Sequence, residues 1–188
     1  MRTRFVLAFA VLLPFLIPGP IRGADLGSAV GLWQAVDDDT KQPTGWFLIS
    51  EHNGIYGGII AKMYLKPGED PNVVCSECKD DRHNHPWLGL EIIRGMQQES
   101  NNKYAGGTIL DPRDGKVYKA TMKLSPDGQT LIVRGYLGFE LLGENQYWTR
   151  LPDSAYSMID PSINPNPPAN PAPVPNQKHP PSPPAHKS

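Results

Sequence analysis

Short β-prone runs separated by turn sequences fill the middle of this chain, and this pattern restricts the fold more than any other feature. Asn53-Gly54 lies between two such runs, and an Asn-Gly pair in that setting is the strongest short-range signal of a two-residue hairpin. The turn sequences "DPRDG" and "SPDG" separate later runs. In chain order the pattern predicts eight strands, from "GLWQAVDDD", "GWFLISEH", "IYGGIIAKM", "PWLGLEIIRGM", "KYAGGTIL", "KVYKATMKL", "QTLIVRGYLG" and "NQYWTRL".

The sixth run alternates most clearly, because Tyr118, Ala120, Met122 and Leu124 are separated by lysine or threonine. No long segment has the apolar stripe of an amphipathic helix, so little helix is expected beyond one short turn between residues 64 and 85. Consecutive strands joined by tight turns close most simply into an eight-stranded antiparallel up-and-down barrel. A two-sheet sandwich is the alternative, although it usually needs longer crossover connections.

The two ends of the chain do not have the composition of a folded domain. Residues 1–24 begin with basic residues, continue with an apolar run and end with small residues, which predicts a signal peptide. The protein is therefore expected to be exported, either to the periplasm or out of the cell. An uncleaved N-terminal anchor is the alternative. Residues 25–152 form the predicted barrel domain. Residues 153–188 are rich in proline, which predicts a disordered, extended tail that could act as a spacer or engage an envelope or protein partner.

The charge of the chain is nearly balanced, with 18 Lys and Arg against 19 Asp and Glu. This balance gives no electrostatic reason to expect nucleic acid or an acidic membrane surface as a partner.

The stretch "VVCSECKDDRHNHP" holds both cysteines of the chain, and three interpretations are open. Cys75, Cys78, His83 and His85 could bind zinc, but the His-x-His spacing is shorter than usual. Cys-x-x-Cys could be a redox centre, but acidic neighbours should raise the thiol pKa. A structural disulfide between Cys75 and Cys78 suits an exported protein with an even cysteine count, and we favour it.

Gly31-Leu-Trp33 opens the first predicted strand, and Trp148-Thr-Arg150 closes the last. This arrangement resembles lipocalins, in which a Gly-x-Trp packs under an arginine from the final strand. Gly31, Trp33 and Arg150 are therefore predicted to be structural. A guanidinium over an indole face is worth about 0.5–2 kcal/mol.

A closer resemblance rests on seven ordered motifs: "GLWQAVDDDT", "GIYGGIIAKM", "CSEC", "PWLGLEII", "GGTILDPRDGKVYKA", "LIVRGYLG" and "YWTR". Together they resemble the exported bacterial family called domain of unknown function 2147. This resemblance implies a lipocalin-like barrel and assigns no biochemical activity. The resemblance implies that the proline-rich tail is an addition to the core domain of that family.

A barrel of this size can hold one small ligand, so aromatic and cationic residues in its strands are candidates for the binding site. For Arg134 the direction is open, and the alternation of Leu131, Val133 and Leu137 favours an outward side chain. An inward arginine would anchor a carboxylate or phosphate. The predicted ligand-binding residues are Trp46, Tyr56, Trp87, Tyr118, Arg134 and Tyr136.

Aspartates cluster near predicted turns, at Asp37, Asp38 and Asp39 and again at Asp111 and Asp114. Paired carboxylates could bind a cation or act as acid and base, but aspartate in such a position more often caps a turn. The familiar catalytic motifs are absent from the sequence, and we predict no catalytic residue, metal or cofactor.

Three functions follow from these features. The preferred one is an exported, non-catalytic binding protein for a small apolar or amphipathic molecule. The second is an envelope-associated interaction module that uses its proline-rich tail. The third is a carboxylate- or metal-dependent hydrolase that uses Asp111 and its neighbours.

Overall fold

The computed structural model describes residues 27–163. The predicted signal peptide and the tail from residue 164 onward lie outside the described residues.

Eight antiparallel strands close into one barrel in which every strand pairs with its neighbours in the chain, and β1 pairs with β8. The barrel predicted from the turn pattern is therefore confirmed, and the sandwich alternative is wrong. The strands are β1 (Gly31–Val36), β2 (Pro43–His52), β3 (Ile55–Met63), β4 (Glu91–Ser100), β5 (Lys103–Asp111), β6 (Lys116–Leu124), β7 (Thr130–Tyr136) and β8 (Glu144–Arg150).

Helix is scarce in the described part of the chain, as the sequence predicts. It consists of the short 3-10 helices Glu140–Leu142, Asp153–Met158 and Pro161–Ile163. Between residues 64 and 85 the chain forms hydrogen-bonded turns, among them one in which His83 N–H donates to the carbonyl of Asp80, but no helix, and Val74 pairs with Pro86 in an isolated β-bridge. Within residues 27–163, no helix has the length and apolar character needed to cross a bilayer.

The hairpin between β2 and β3 turns at Asn53 and Gly54. Both residues have left-handed backbone, with φ of 52° and 80°, as this type of two-residue turn requires. In β6, Ala120, Met122 and Leu124 are buried, so the predicted alternation places that face of the strand in the core.

One end of the barrel is closed by the chain that precedes β1. The guanidinium carbon of Arg150 lies 4.1 Å from the centroid of the Trp33 ring. Trp33 Nε1 donates to the carbonyl of Ala29 at 2.9 Å, and the backbone N–H of Ala29 donates to Tyr104 Oη at 2.9 Å. Gly31 permits this packing, since a Cβ there would lie 2.5 Å from Arg150 Nη1.

A second apolar cluster covers the outer face of β1, β2 and β3. Trp46 and Leu32 pack there against Ala155 and Ile159, which follow β8. The packed chain therefore extends past residue 152, where the sequence placed the end of the domain. The reason is that the segment after β8 supplies apolar side chains to an outer surface that would otherwise be exposed.

The long connection between β3 and β4 lies beside the β5–β6 turn. Cys75 and Cys78 form a disulfide in it, which confirms the predicted structural clip. Both cysteines are buried, and the backbone of Glu77 passes so close to Gly115 that a Cβ at Gly115 would collide with it. Because the residues before Glu91 form turns, β4 begins later than the run "PWLGLEIIRGM" suggests.

Candidate ligand-binding cavity

The barrel contains a cavity of about 800 Å³. It opens at the end where β1, β3, β5 and β7 finish, opposite the end closed by Trp33 and Arg150. The connections that follow these four strands surround the opening. A volume of this size is within the range of pockets that enclose a small organic molecule.

Apolar side chains from strands all around the barrel form the wall of the cavity. Phe47 of β2 stacks on Trp148 of β8, with ring centroids 4.2 Å apart and an interplanar angle of 11°. Ile60, Ile109 and Val133 line other parts of the wall. These residues belong to or pack against the buried core, so the wall is a continuation of the barrel core.

Two indole nitrogens of the cavity residues differ in their surroundings. Trp148 Nε1 donates to Gln146 Oε1 at 3.0 Å, so this pair of polar groups is satisfied. Trp87 Nε1 is buried and has no hydrogen-bond partner among the described residues. A buried donor in that state costs free energy, and an acceptor that reached it would recover part of that cost.

Charged residues lie at the opening, and carboxylates outnumber basic groups there. Asp111 accepts hydrogen bonds from the guanidinium of Arg113, with Nη2 to Oδ2 at 2.6 Å, and this contact lowers the pKa of Asp111. Asp37, Glu69 and Glu144 also line this region. The cavity is thus apolar inside, and its opening combines these charged groups with the apolar Leu137 and Leu142, an arrangement that suits an amphipathic molecule.

The aspartates at the turns act as caps in the structure. Asp37 Oδ1 accepts from the backbone N–H groups of Asp39 and Thr40, at 3.1 and 2.8 Å. Asp114 Oδ1 accepts from the backbone N–H of Lys116 at 3.0 Å. Among residues 27–163, no group of three His, Cys, Asp or Glu side chains is arranged to hold a metal ion.

The zinc interpretation of the cysteine stretch does not fit this arrangement, and the redox interpretation is disfavoured because both cysteines are buried. The disulfide uses both sulfurs of the chain's two cysteines, so no thiolate is available as a metal ligand. The ring of His83 instead forms a hydrogen bond with the carbonyl of Cys78 at 2.9 Å.

Three of the six predicted ligand-binding residues, Trp87, Tyr118 and Tyr136, line the cavity. Tyr56 lies deeper in the core, where its ring meets the ring of Tyr104 at a centroid distance of 4.7 Å. The remaining two lie outside the cavity.

Trp46 lies on the outer wall, where its Nε1 donates to Gln34 Oε1 at 3.0 Å and Lys62 Nζ is 4.3 Å from its ring centroid. Arg134 also faces outward. Its Nε and Nη2 donate to the carbonyls of Glu140 and Leu141, at 2.8 and 3.0 Å. Neither residue is in a position to bind a ligand in the cavity, since each side chain is engaged outside the barrel.

Several residues that form the apolar wall were not predicted from the sequence. A signal existed for Val133, which alternates with Leu131 on the core face of β7, whereas Phe47 follows Trp46 in a run that is apolar on both faces. Alternation alone does not separate core-filling side chains from those that face an open space. The wall residues that were missed are Phe47, Ile60, Ile109, Val133 and Trp148.

The closed eight-stranded antiparallel barrel, with Trp33 under Arg150 at one end and an apolar cavity at the other, defines a lipocalin-like protein. A family model described as "Uncharacterized protein conserved in bacteria (DUF2147)" matches residues 31–150, and the chain belongs to this family.

A solved structure with a similar fold is that of protein HP1028 from the human pathogen Helicobacter pylori, which is described as belonging to the lipocalin family. The two chains are 18% identical, with a TM-score of 0.60 over 71% of this chain and 90% of that one. This likeness concerns the fold. No curated protein matches the chain.

Proposed function

We propose that this protein binds one small amphipathic molecule in the barrel cavity and catalyses no reaction on it. The observation that carries the proposal is the cavity of about 800 Å³, which has an apolar wall. It opens at one end of the barrel, and the packing of Arg150 on Trp33 closes the other end.

The distribution of polar groups indicates how such a molecule would lie. Its apolar part would contact Phe47, Ile109 and Trp148, while its polar group would remain near the charged rim. The unpartnered Nε1 of Trp87 favours a ligand with a hydrogen-bond acceptor over a pure hydrocarbon.

The carboxylates at the rim support binding better than hydrolysis. Asp111 is held by Arg113, and Asp37 and Asp114 accept backbone hydrogen bonds in turns. Hydrogen bonds lower the pKa of all three carboxyl groups, which keeps them ionised and makes them poor general acids at neutral pH.

We further propose that the protein is exported. The disulfide supports this location, because such bonds persist in oxidising compartments. The interaction module that uses the proline-rich tail remains a prediction from the sequence, since residues 164–188 lie outside the described part of the chain.

Native mass spectrometry with N-phenyl-1-naphthylamine, an apolar probe, tests the binding proposal. We expect a one-to-one complex that dissociates when the protein is denatured. A protein that remains bare in the presence of excess probe, and that carries no organic adduct of its own after purification from cells, would refute ligand binding in the cavity.

A further inference from the structure

The connection between β7 and β8 exposes four large apolar side chains beside the opening of the cavity. The exposed fractions are 62% for Leu137, 79% for Phe139, 88% for Leu141 and 77% for Leu142. Monomeric proteins rarely leave such a group of side chains in water unless the surface has a partner. We call residues 137–142 the apolar rim loop.

We propose that the apolar rim loop inserts into the surface of a phospholipid bilayer and holds the opening of the barrel against it. This inference goes beyond the proposed function, since the loop could dock on lipid whether or not the cavity binds a molecule.

The hydrogen bonding of the loop favours a lipid partner over a protein. Leu142 N–H donates to the carbonyl of Phe139 and Gly143 N–H to that of Glu140, both at 3.1 Å. Arg134 donates to the carbonyls of Glu140 and Leu141. Three successive carbonyls are therefore satisfied within the protein. A protein partner could supply missing hydrogen bonds, whereas hydrocarbon cannot, so a loop that enters lipid needs them in advance.

The single acidic side chain of the loop does not oppose insertion. Glu140 Oε1 accepts a hydrogen bond from Thr121 Oγ1 of β6 at 3.2 Å, so its carboxylate is directed toward the barrel wall. Thr121 itself is buried. The carboxylate can therefore stay at the barrel wall while the apolar tips of the loop point away from it.

The loop is also continuous with the cavity, because Leu137 and Leu142 line both surfaces. An amphipathic molecule that moved between a bilayer and the cavity could slide along these side chains with little exposure to water. Phe139 and Leu141 are not among the cavity residues. They can therefore be changed without altering the cavity wall.

Insertion of this kind should depend on apolar burial more than on charge. The formal net charge of the chain is −1, and carboxylates are numerous at the opening, so anionic lipid offers no strong attraction. We expect binding to neutral phosphatidylcholine vesicles that persists when the salt concentration is raised.

Vesicle flotation of the full chain tests the proposal with a double variant, Phe139→Ser with Leu141→Ser. The control is Met158→Ser, which removes an apolar side chain that is 60% exposed on the helix Asp153–Met158. We expect the wild type and the control to float equally and the double variant to partition at least about tenfold less. Circular dichroism and binding of N-phenyl-1-naphthylamine without vesicles show whether the double variant is folded with its cavity intact.

Failure of the wild type to float, or equal flotation of the double variant, would overturn the proposal while leaving cavity binding untouched.

A second measurement distinguishes other occupants of the same surface. The chain has two cysteines, both in the disulfide, so Phe139→Cys can be labelled selectively with an environment-sensitive fluorophore. A blue shift only when vesicles are added would support the proposal. A blue shift that grows with protein concentration would indicate a second copy. One that is present without vesicles at every concentration would indicate a segment of this chain, and either result would overturn docking on lipid.

Discussion

Arg150 and Trp33 close the barrel as one unit, in which the guanidinium lies over the indole and joins the last strand to the first. The same guanidinium donates to the carbonyls of Ser28, Val30 and Gly128, at 2.6, 2.8 and 2.7 Å. Arg150 therefore connects the last strand with the chain before β1 and with the β6–β7 turn.

Arg150→Ala is expected to destabilise the protein by about 2–4 kcal/mol, because it removes the stacking on Trp33 and leaves three carbonyls without their charged donor. Urea unfolding measures the change. Arg113→Ala is the matched control, since that guanidinium is exposed at the opening and its ion pair with Asp111 should contribute less than about 1 kcal/mol. Equal losses in the two variants would contradict the closing role of Arg150.

Much of the fold could be predicted from the sequence because turns and alternation are local signals. Asn53-Gly54 specifies the backbone conformation of a turn, and the alternation in β6 specifies which side chains point into the core. Neither signal depends on distant residues. The contact between Trp33 and Arg150 was implied by the resemblance to lipocalins. It is present in the structure.

Other features could not be predicted, for a common physical reason. Trp46 looks like a cavity residue in sequence, but it is covered from outside by Ala155 and Ile159. Alternation cannot identify the inner face of a strand that is apolar on both sides. The segment 153–163 was predicted to be part of the tail for the same reason. Its few apolar residues pack on the outer surface of the barrel, and that surface cannot be recognised from the sequence.

Removal of the disulfide should have a measurable but limited effect. The double variant Cys75→Ser with Cys78→Ser is expected to lose about 2 kcal/mol, because the cysteines are only three positions apart and such a short loop restricts the unfolded chain little. Urea unfolding with and without reductant measures it. Reductant should lower the wild-type stability by the same amount and leave the variant unchanged. If complete reduction left the stability of the wild type unchanged, the disulfide would have no stabilising role.

The free energy of unfolding is expected to depend on pH through Asp80. Hydrogen bonds from the buried Arg82 lower the pKa of Asp80 from its ordinary value of 3.8 to about 2. Because the pKa is lower in the folded protein than in the unfolded chain, the carboxylate stabilises the fold above about pH 4. This contribution is lost as the pH falls toward 2. The urea midpoint of the wild type should therefore fall more steeply over that interval than the midpoint of Asp80→Asn.

At neutral pH, Asp80→Asn should cost about 1–3 kcal/mol, because Arg82 keeps its charge in a buried position. Asp81→Asn is the matched control and should cost less, since its partner Arg94 is more exposed and retains Glu91. A larger loss in Asp81→Asn than in Asp80→Asn would be evidence against this account.

Binding of a ligand in the barrel cavity can be tested by titrating N-phenyl-1-naphthylamine into the wild type and two tryptophan variants. Ile109→Trp fills space inside the cavity, whereas Val117→Trp places the same ring on the exposed outer side of the adjacent strand. We expect one saturable site in the wild type and in Val117→Trp, with affinity at least about tenfold weaker in Ile109→Trp. Equal affinity in all three folded proteins would place the probe elsewhere and contradict the claim.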